Sequence, residues 1–209
     1  MSVQANRRSV MALYADRLSP ASHSVRIVLS EKDINVEIKF VDEDNRPEDL
    51  NALNPYYDVL TLIDRELVLY DAQIIMEYLD ERYPHPPLMP VDPVSRANNR
   101  QVRYRVMRDL YELVPALTGE NDIAAANGRK AMRDNLTAIA PAFSQKPYFL
   151  SDDYSLVDAC LAPLLWRLPS YGVKLGNQAK PIIQYSERMF ERASFQISLT
   201  AEERDFPTE

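Results

Sequence analysis

"VLTLIDRELVLYDAQIIMEYLDERYPHPPLMPVDP", residues 59–93, contains two changes of pattern and one hard stop. "VLTLID" and "ELVLYD" are short apolar runs that meet at Asp64-Arg65, as two strands of a hairpin would. From Ala72 onward the apolar residues fall at helical spacing, with Ile74, Ile75, Tyr78 and Leu79 in one stripe. Tyr83 to Pro93 then holds Pro84, Pro86, Pro87, Pro90 and Pro93, and neither a helix nor a central strand continues through such a run. The stretch reads strand, strand, helix, linker, so the chain has to change architecture here.

Upstream, "SVMALYAD" is strand-like, and "SHSVRIVLSEKD" sets Val25, Val28 and Leu29 at helical spacing behind a serine cap. "NVEIKFVD" alternates Val36, Ile38 and Phe40 with Glu37, Lys39 and Val41, a strand with one face more buried. "RPEDLNALNP" is a brief helix bounded by prolines, which completes the order β-α-β-α-β-β-α. Downstream the pattern is helical over about 95–117 and 124–143, from Ser155, and over about 179–192. Ser155 and Asp158 have the spacing of a capping box, and Pro163 is expected to bend the apolar helix that follows. The reading predicts an α/β domain over 1–83, a proline-rich linker over 84–94 and an all-α domain over 95–209.

With 209 residues the chain is long enough for two small domains, each with its own core. Cys160 is the single cysteine, which excludes an internal disulfide framework and a cysteine-built zinc site and fits a reducing, cytoplasmic setting. It falls in the apolar "DACLAPLL" stretch and reads as inert core. The N-terminal stretch has a basic pair but too short an apolar run for a signal peptide, and no segment reaches membrane-spanning length. A net charge of −7 and the lack of a recognition-helix motif speak against direct sequence-specific DNA binding. His23 and His85 stand far apart without acid or cysteine at ligand spacing, so no metal is expected. Four glycines leave little material for a phosphate-cradling loop.

Over essentially its whole length the chain resembles the glutathione transferase superfamily: a thioredoxin-like N-terminal domain, a proline-rich linker and an all-α C-terminal domain with a Ser-x-x-Asp cap. "SHSVRIVLSEK", "RELVLYDAQIIMEYLDERYPHPPLMPVDPVSRA", "QKPYFLSDDYSLVDACLAPLLWRLP" and "FERASFQISLTAEER" are similar to the stringent starvation protein A family within it. That resemblance implies a homodimer that binds RNA polymerase holoenzyme and regulates transcription in stationary phase, starvation and acid stress. It implies neither a transferase activity nor a cofactor.

A working glutathione site in the superfamily has three features that can be checked here. The first is a cis-proline before the third strand, where this chain has Leu60. A non-proline cis bond costs about 2.5–4 kcal/mol, so a trans bond and a displaced backbone are expected, with a retained, strained cis bond as the alternative. The second is an acid-serine pair that grips the γ-glutamyl group; here it reads Asp71-Ala72, a shortened acid without the hydroxyl, and Asp71 also suits a helix cap. The third points the other way. Ser19-Pro20 stands where omega-like members place a Cys-Pro catalytic pair, so Ser19, with Ser22 nearby, is either a thiol-activating hydroxyl or a helix cap. Tyr14, in the first strand, reads as packing. Leu60, Asp71 and Ala72 favour a vestigial site and no catalytic residue; a glutathione-dependent transferase or reductase using Ser19 is the alternative.

Without catalysis, function belongs to a binding surface, and "YPHPPLMP" is the candidate. Prolines fix the backbone before binding, so Tyr83, His85 and Leu88 would be presented at little ordering cost. In the resembled family the Pro-His-Pro segment lies in a surface pocket required for action on RNA polymerase, and Pro84, His85 and Pro86 match it, with Pro87 adjoining. Asp92 stands where better-known members carry an aromatic residue. Arg96, Arg100 and Arg103 share a helical face by spacing, a stripe that faces solvent, a second copy or an acidic partner such as a sigma factor region.

Overall fold

The computed structural model describes residues 11–42, 46–56 and 58–207. They form two compact units: the described residues up to Pro86 together with Ile197–Arg204, and Pro87–Gln196 together with residues 205–207. Most of the N-terminal stretch read for a signal peptide lies outside the described residues.

The first unit follows the expected order, with β1 (Ala12–Ala15), α1 (Pro20–Glu31), β2 (Glu37–Phe40), α2 (Glu48–Leu53), β3 (Thr61–Asp64), β4 (Leu67–Tyr70) and α3 (Ala72–Arg82). The sheet order is β2-β1-β3-β4, parallel between β1 and β2 and antiparallel elsewhere. Leu13 of β1 stands opposite Leu62 of β3, which stands opposite Leu69 of β4, so one row of leucines crosses the sheet. α1 and α3 pack together, with Val25, Ile27, Val28, Ile75, Met76 and Leu79 buried. β2 is an outer strand, and Ile38, expected to face inward from its alternation, is 37% exposed. The hairpin turn places Arg65 at a positive φ of 57°.

The second unit holds α4 (Pro93–Asp109), α5 (Val114–Thr118), α6 (Asp122–Ile139), α7 (Leu156–Trp166), α8 (Lys180–Phe190) and most of α9 (Ala193–Ser198), while α10 (Ala201–Arg204) belongs to the first. The helix expected over 95–117 is broken after Asp109 by a 3-10 turn at Tyr111–Leu113. Pro115 has no N–H for a continuing ladder, and the Tyr111 hydroxyl donates to Cys160 O at 2.8 Å instead of staying on the helix surface. In the same way Pro141 turns the end of the 124–143 pattern into a 3-10 segment. α7 runs through Pro163 without ending there.

Asp158 is the polar centre of this unit. Its carboxylate accepts from Ser155 N (2.9 Å), Phe149 N (2.9 Å) and the Tyr185 hydroxyl (2.6 Å), and the capping box is complete. Burial pushes its carboxyl above the usual range while these donors pull against it.

The all-α domain expected over 95–209 is interrupted: Ile197–Arg204 belongs to the first unit, and the chain returns to the second after it. The reason is a buried ion pair. Arg26 of α1, 3% exposed, donates through Nη2 to both carboxylate oxygens of Glu203 (2.7 and 2.6 Å) and through Nε to Ser198 O (3.0 Å). Glu203 Oε2 also accepts from Thr200 N (2.8 Å) while Thr200 Oγ1 accepts from Glu203 N (3.1 Å), a reciprocal cap for α10. His23 Nε2 lies 2.9 Å from Ser198 Oγ, and both side chains are buried.

Candidate functional site

α1 starts at Pro20 because Ser19 stops the extended backbone (φ −65°, ψ 126°) and Pro20 supplies a helical φ at the first turn. Ser19 Oγ accepts from Ser22 N at 3.3 Å, and Ser19 N donates to Asp16 Oδ1 at 2.8 Å. Ser22 is 1% exposed, and its Oγ accepts from Asp16 N at 3.1 Å. The Asp16–Ser22 turn therefore uses both serine hydroxyls as backbone acceptors. Tyr14 lies in β1, half-buried, with Lys39 Nζ 5.4 Å from its ring centroid.

Before β3, Leu60 is buried and the Val59–Leu60 bond is not cis; among the described residues the cis bond lies at His85–Pro86. The loop is held by Asn54, which sequence reading passed over. Its buried Nδ2 donates to Asp58 O (3.1 Å) and Thr61 Oγ1 (3.3 Å), and its Oδ1 accepts from Tyr56 N (3.0 Å). Asp71 caps α3 by accepting from Gln73 N (2.8 Å) and Ile74 N (3.3 Å), at a strained φ of 77°. Ala72 beside it is buried.

The proline loop has the opposite character. Pro84, His85, Pro86 and Pro87 are exposed and Tyr83 is half-buried, with the Arg82 guanidinium 5.7 Å from its ring centroid. Arg82 Nε is itself held by Asp64 Oδ2 (3.2 Å), which also accepts from the Tyr78 hydroxyl (2.5 Å). Burial, then the Asp64 bond, pushes that hydroxyl up to about 12.

Beneath the loop, Lys32 Nζ donates to Asp80 Oδ1 (2.5 Å), Tyr83 O (2.7 Å) and Pro86 O (2.6 Å). Neither Lys32 after α1 nor its partner Asp80, an acid three residues before the α3 cap Tyr83, gave a sequence signal for this.

Two expected contact residues need correction. Leu88, placed with the presented side chains, is 3% exposed, and its carbonyl accepts from Leu156 N at 2.9 Å. It anchors the chain in the second unit because a leucine leaving an exposed proline run gains most by burial. Arg103 does not extend a surface stripe: it is 3% exposed, with Nε donating to Asn99 Oδ1 (3.1 Å) and Nη2 4.0 Å from Met89 Sδ. Of its expected face, Arg96 is half-buried and Arg100 exposed. Asp92, where an aromatic was expected by resemblance, caps α4 by accepting from Ser95 N at 2.8 Å, and that bond holds its carboxyl below the usual range. Among the described residues no three His, Cys, Asp or Glu side chains converge as metal ligands.

The family profiles described as "Glutathione S-transferase, N-terminal domain" and "Glutathione S-transferase, C-terminal domain" match residues 13–87 and 82–193. A solved glutathione transferase from Methylococcus capsulatus strain Bath superposes with a TM-score of 0.82 at 23% identity, over 92% of this chain and 98% of that one. The sheet, the helices and these matches define a glutathione S-transferase fold. Stringent starvation protein A homologs from Pasteurella multocida (48% identical, 95% of this chain, 94% of the relative) and Coxiella burnetii (45% identical, 95% of this chain, 96% of the relative) match it nearly end to end. The chain belongs to the stringent starvation protein A family of the glutathione S-transferase superfamily. No helix among the described residues is long and apolar enough to cross a membrane.

Proposed function

We propose that this chain is a noncatalytic, homodimeric regulator that binds RNA polymerase holoenzyme near its sigma factor through the Tyr83–Pro87 loop, acting in stationary-phase, starvation and acid stress. One observation carries the reading: Pro84, His85, Pro86 and Pro87 are all exposed on a backbone fixed by proline, while Ser19 and Asp71 of the glutathione position serve as caps of α1 and α3. A prearranged apolar loop binds protein without a large ordering cost. Arg100, exposed on α4, would add an attraction to an acidic partner surface that fades as salt rises.

The competing reading, a glutathione-dependent enzyme using Ser19, is favoured by the place of that hydroxyl at the start of α1, where the helix dipole stabilises a thiolate. One experiment separates them: retention of purified holoenzyme by the wild type and by Pro84→Ala/His85→Ala/Pro86→Ala, with glutathione-agarose binding on the same preparations. The regulator reading expects polymerase retention, its loss in the triple variant, and no glutathione binding. Glutathione binding without polymerase retention would overturn it and make Ser19 the residue to mutate.

A further inference from the structure

We propose that Lys32 is a positioning residue that holds the Tyr83–Pro86 loop in the shape its partner reads. The inference rests on the reading of that loop as the polymerase contact. An ammonium has three protons, and Lys32 presents them to three oxygens: Asp80 Oδ1 at 2.5 Å, Tyr83 O at 2.7 Å and Pro86 O at 2.6 Å. Two of these are main-chain carbonyls at the two ends of the loop. The Lys32 side chain is fully buried and that of Asp80 is 7% exposed, so water does not compete for the bonds.

The loop needs such a group from outside. Pro84, Pro86 and Pro87 have no N–H, which removes the donors that ordinarily close a turn and leaves the Tyr83 and Pro86 carbonyls to a donor from elsewhere in the chain. One cation drawn from the end of α1 closes the loop in their place. Lys32 bonds the loop through its main chain, while Pro84, His85 and Pro86 are exposed and available to a partner. Without the clamp, these residues would have to be ordered at the moment of binding.

A variant that breaks the ion pair by removing only Lys32 would leave a buried carboxylate and report on stability. Lys32→Met/Asp80→Asn removes both charges together and keeps an acceptor at position 80. Three readings on this variant and the wild type test the proposal: the thermal melt, the 15N order parameter of the His85 amide in the free protein, and the affinity for RNA polymerase holoenzyme. The expected result is a cooperative melt, an order parameter that falls from the rigid range near about 0.85 to below about 0.6, and affinity about tenfold weaker. Wild-type affinity despite a mobile His85, or an unchanged His85 order parameter, overturns the positioning role while leaving the polymerase reading intact. Failure of the wild type to bind polymerase overturns that reading, and the inference with it. Should the double variant not fold, Asp80→Asn alone carries the same two readings, which must move together; movement of one without the other overturns the proposal.

Discussion

The two ends of α1 serve two regions that treat their polar atoms in opposite ways. At its start, Ser19 and Ser22 bond the chain's own backbone, and across the sheet Asp71 does the same for α3. At its end, Lys32 bonds the backbone of the proline loop from beneath, and the side chains of Pro84 to Pro87 remain exposed. In the first region the side chains that would meet a small ligand are consumed in local structure. In the second the main chain is satisfied from below and the side chains are presented. On the proposed function, this contrast is what separates a scaffold that holds a ligand from one that presents a surface.

The largest expected effect comes from breaking the base that both regions share. Glu203→Ala removes the carboxylate that pairs with Arg26 in the middle of α1 and leaves a buried guanidinium, so destabilisation of about 3–5 kcal/mol is expected in urea unfolding. Both regions should fail together. A result under 1 kcal/mol would mean that α1 does not depend on the C-terminal segment.

Ser19→Ala sharpens the contrast at one end alone. Loss of this cap is expected to cost about 1 kcal/mol of stability with polymerase retention unchanged, whereas a catalytic Ser19 would show itself in a lost glutathione-dependent activity. Tyr78→Phe tests the opposite side, where the hydroxyl fixes Asp64 and with it Arg82 beside Tyr83. It should cost about 1 kcal/mol at neutral pH. Because the folded-state pKa is raised from 10.0 to about 12, the hydroxyl's contribution is fully present below pH 10 and is lost as pH rises through about 12. The gap between wild type and variant should therefore be flat from pH 6 to pH 9 in thermal melts.

The smallest effect belongs to Asp71. Asp71→Ala loses the cap and keeps the strained φ of 77°, at a cost of about 1 kcal/mol, while Asp71→Gly trades the cap for relief of the strain and should fall within a few tenths of a kcal/mol of wild type. Equal losses in the two variants would show that the backbone there is not strained.

Much of the local plan is legible in the chain. The Ser155–Asp158 box and the stop imposed by the prolines follow from rules acting over a few residues, and the structure contains both. The hairpin turn falls one residue later than read, at Arg65 and Glu66, because Asp64 pairs with Leu67, and the buried stripe of α3 is Ile75, Met76 and Leu79, with Ile74 52% exposed. Arg103 was misread because helical spacing assigns a face but not whether that face meets solvent or Met89. Leu88 was misread for a related reason: proline fixes φ but does not say where the next side chain goes. Neither the Thr200-x-x-Glu203 cap nor Arg26 as the partner of that carboxylate was read from the sequence, and the two partners stand 177 residues apart.

The order of elements, the fold class and the family could be read from the chain alone, because periodicity, caps and breakers are local and the family segments are long. Only the tertiary structure decided that Ile197–Arg204 joins the first unit and that Lys32 closes the proline loop. Those depend on buried charges finding oxygen partners far away in the chain, and the desolvation that forces such pairs to form exists only once the core has closed around them.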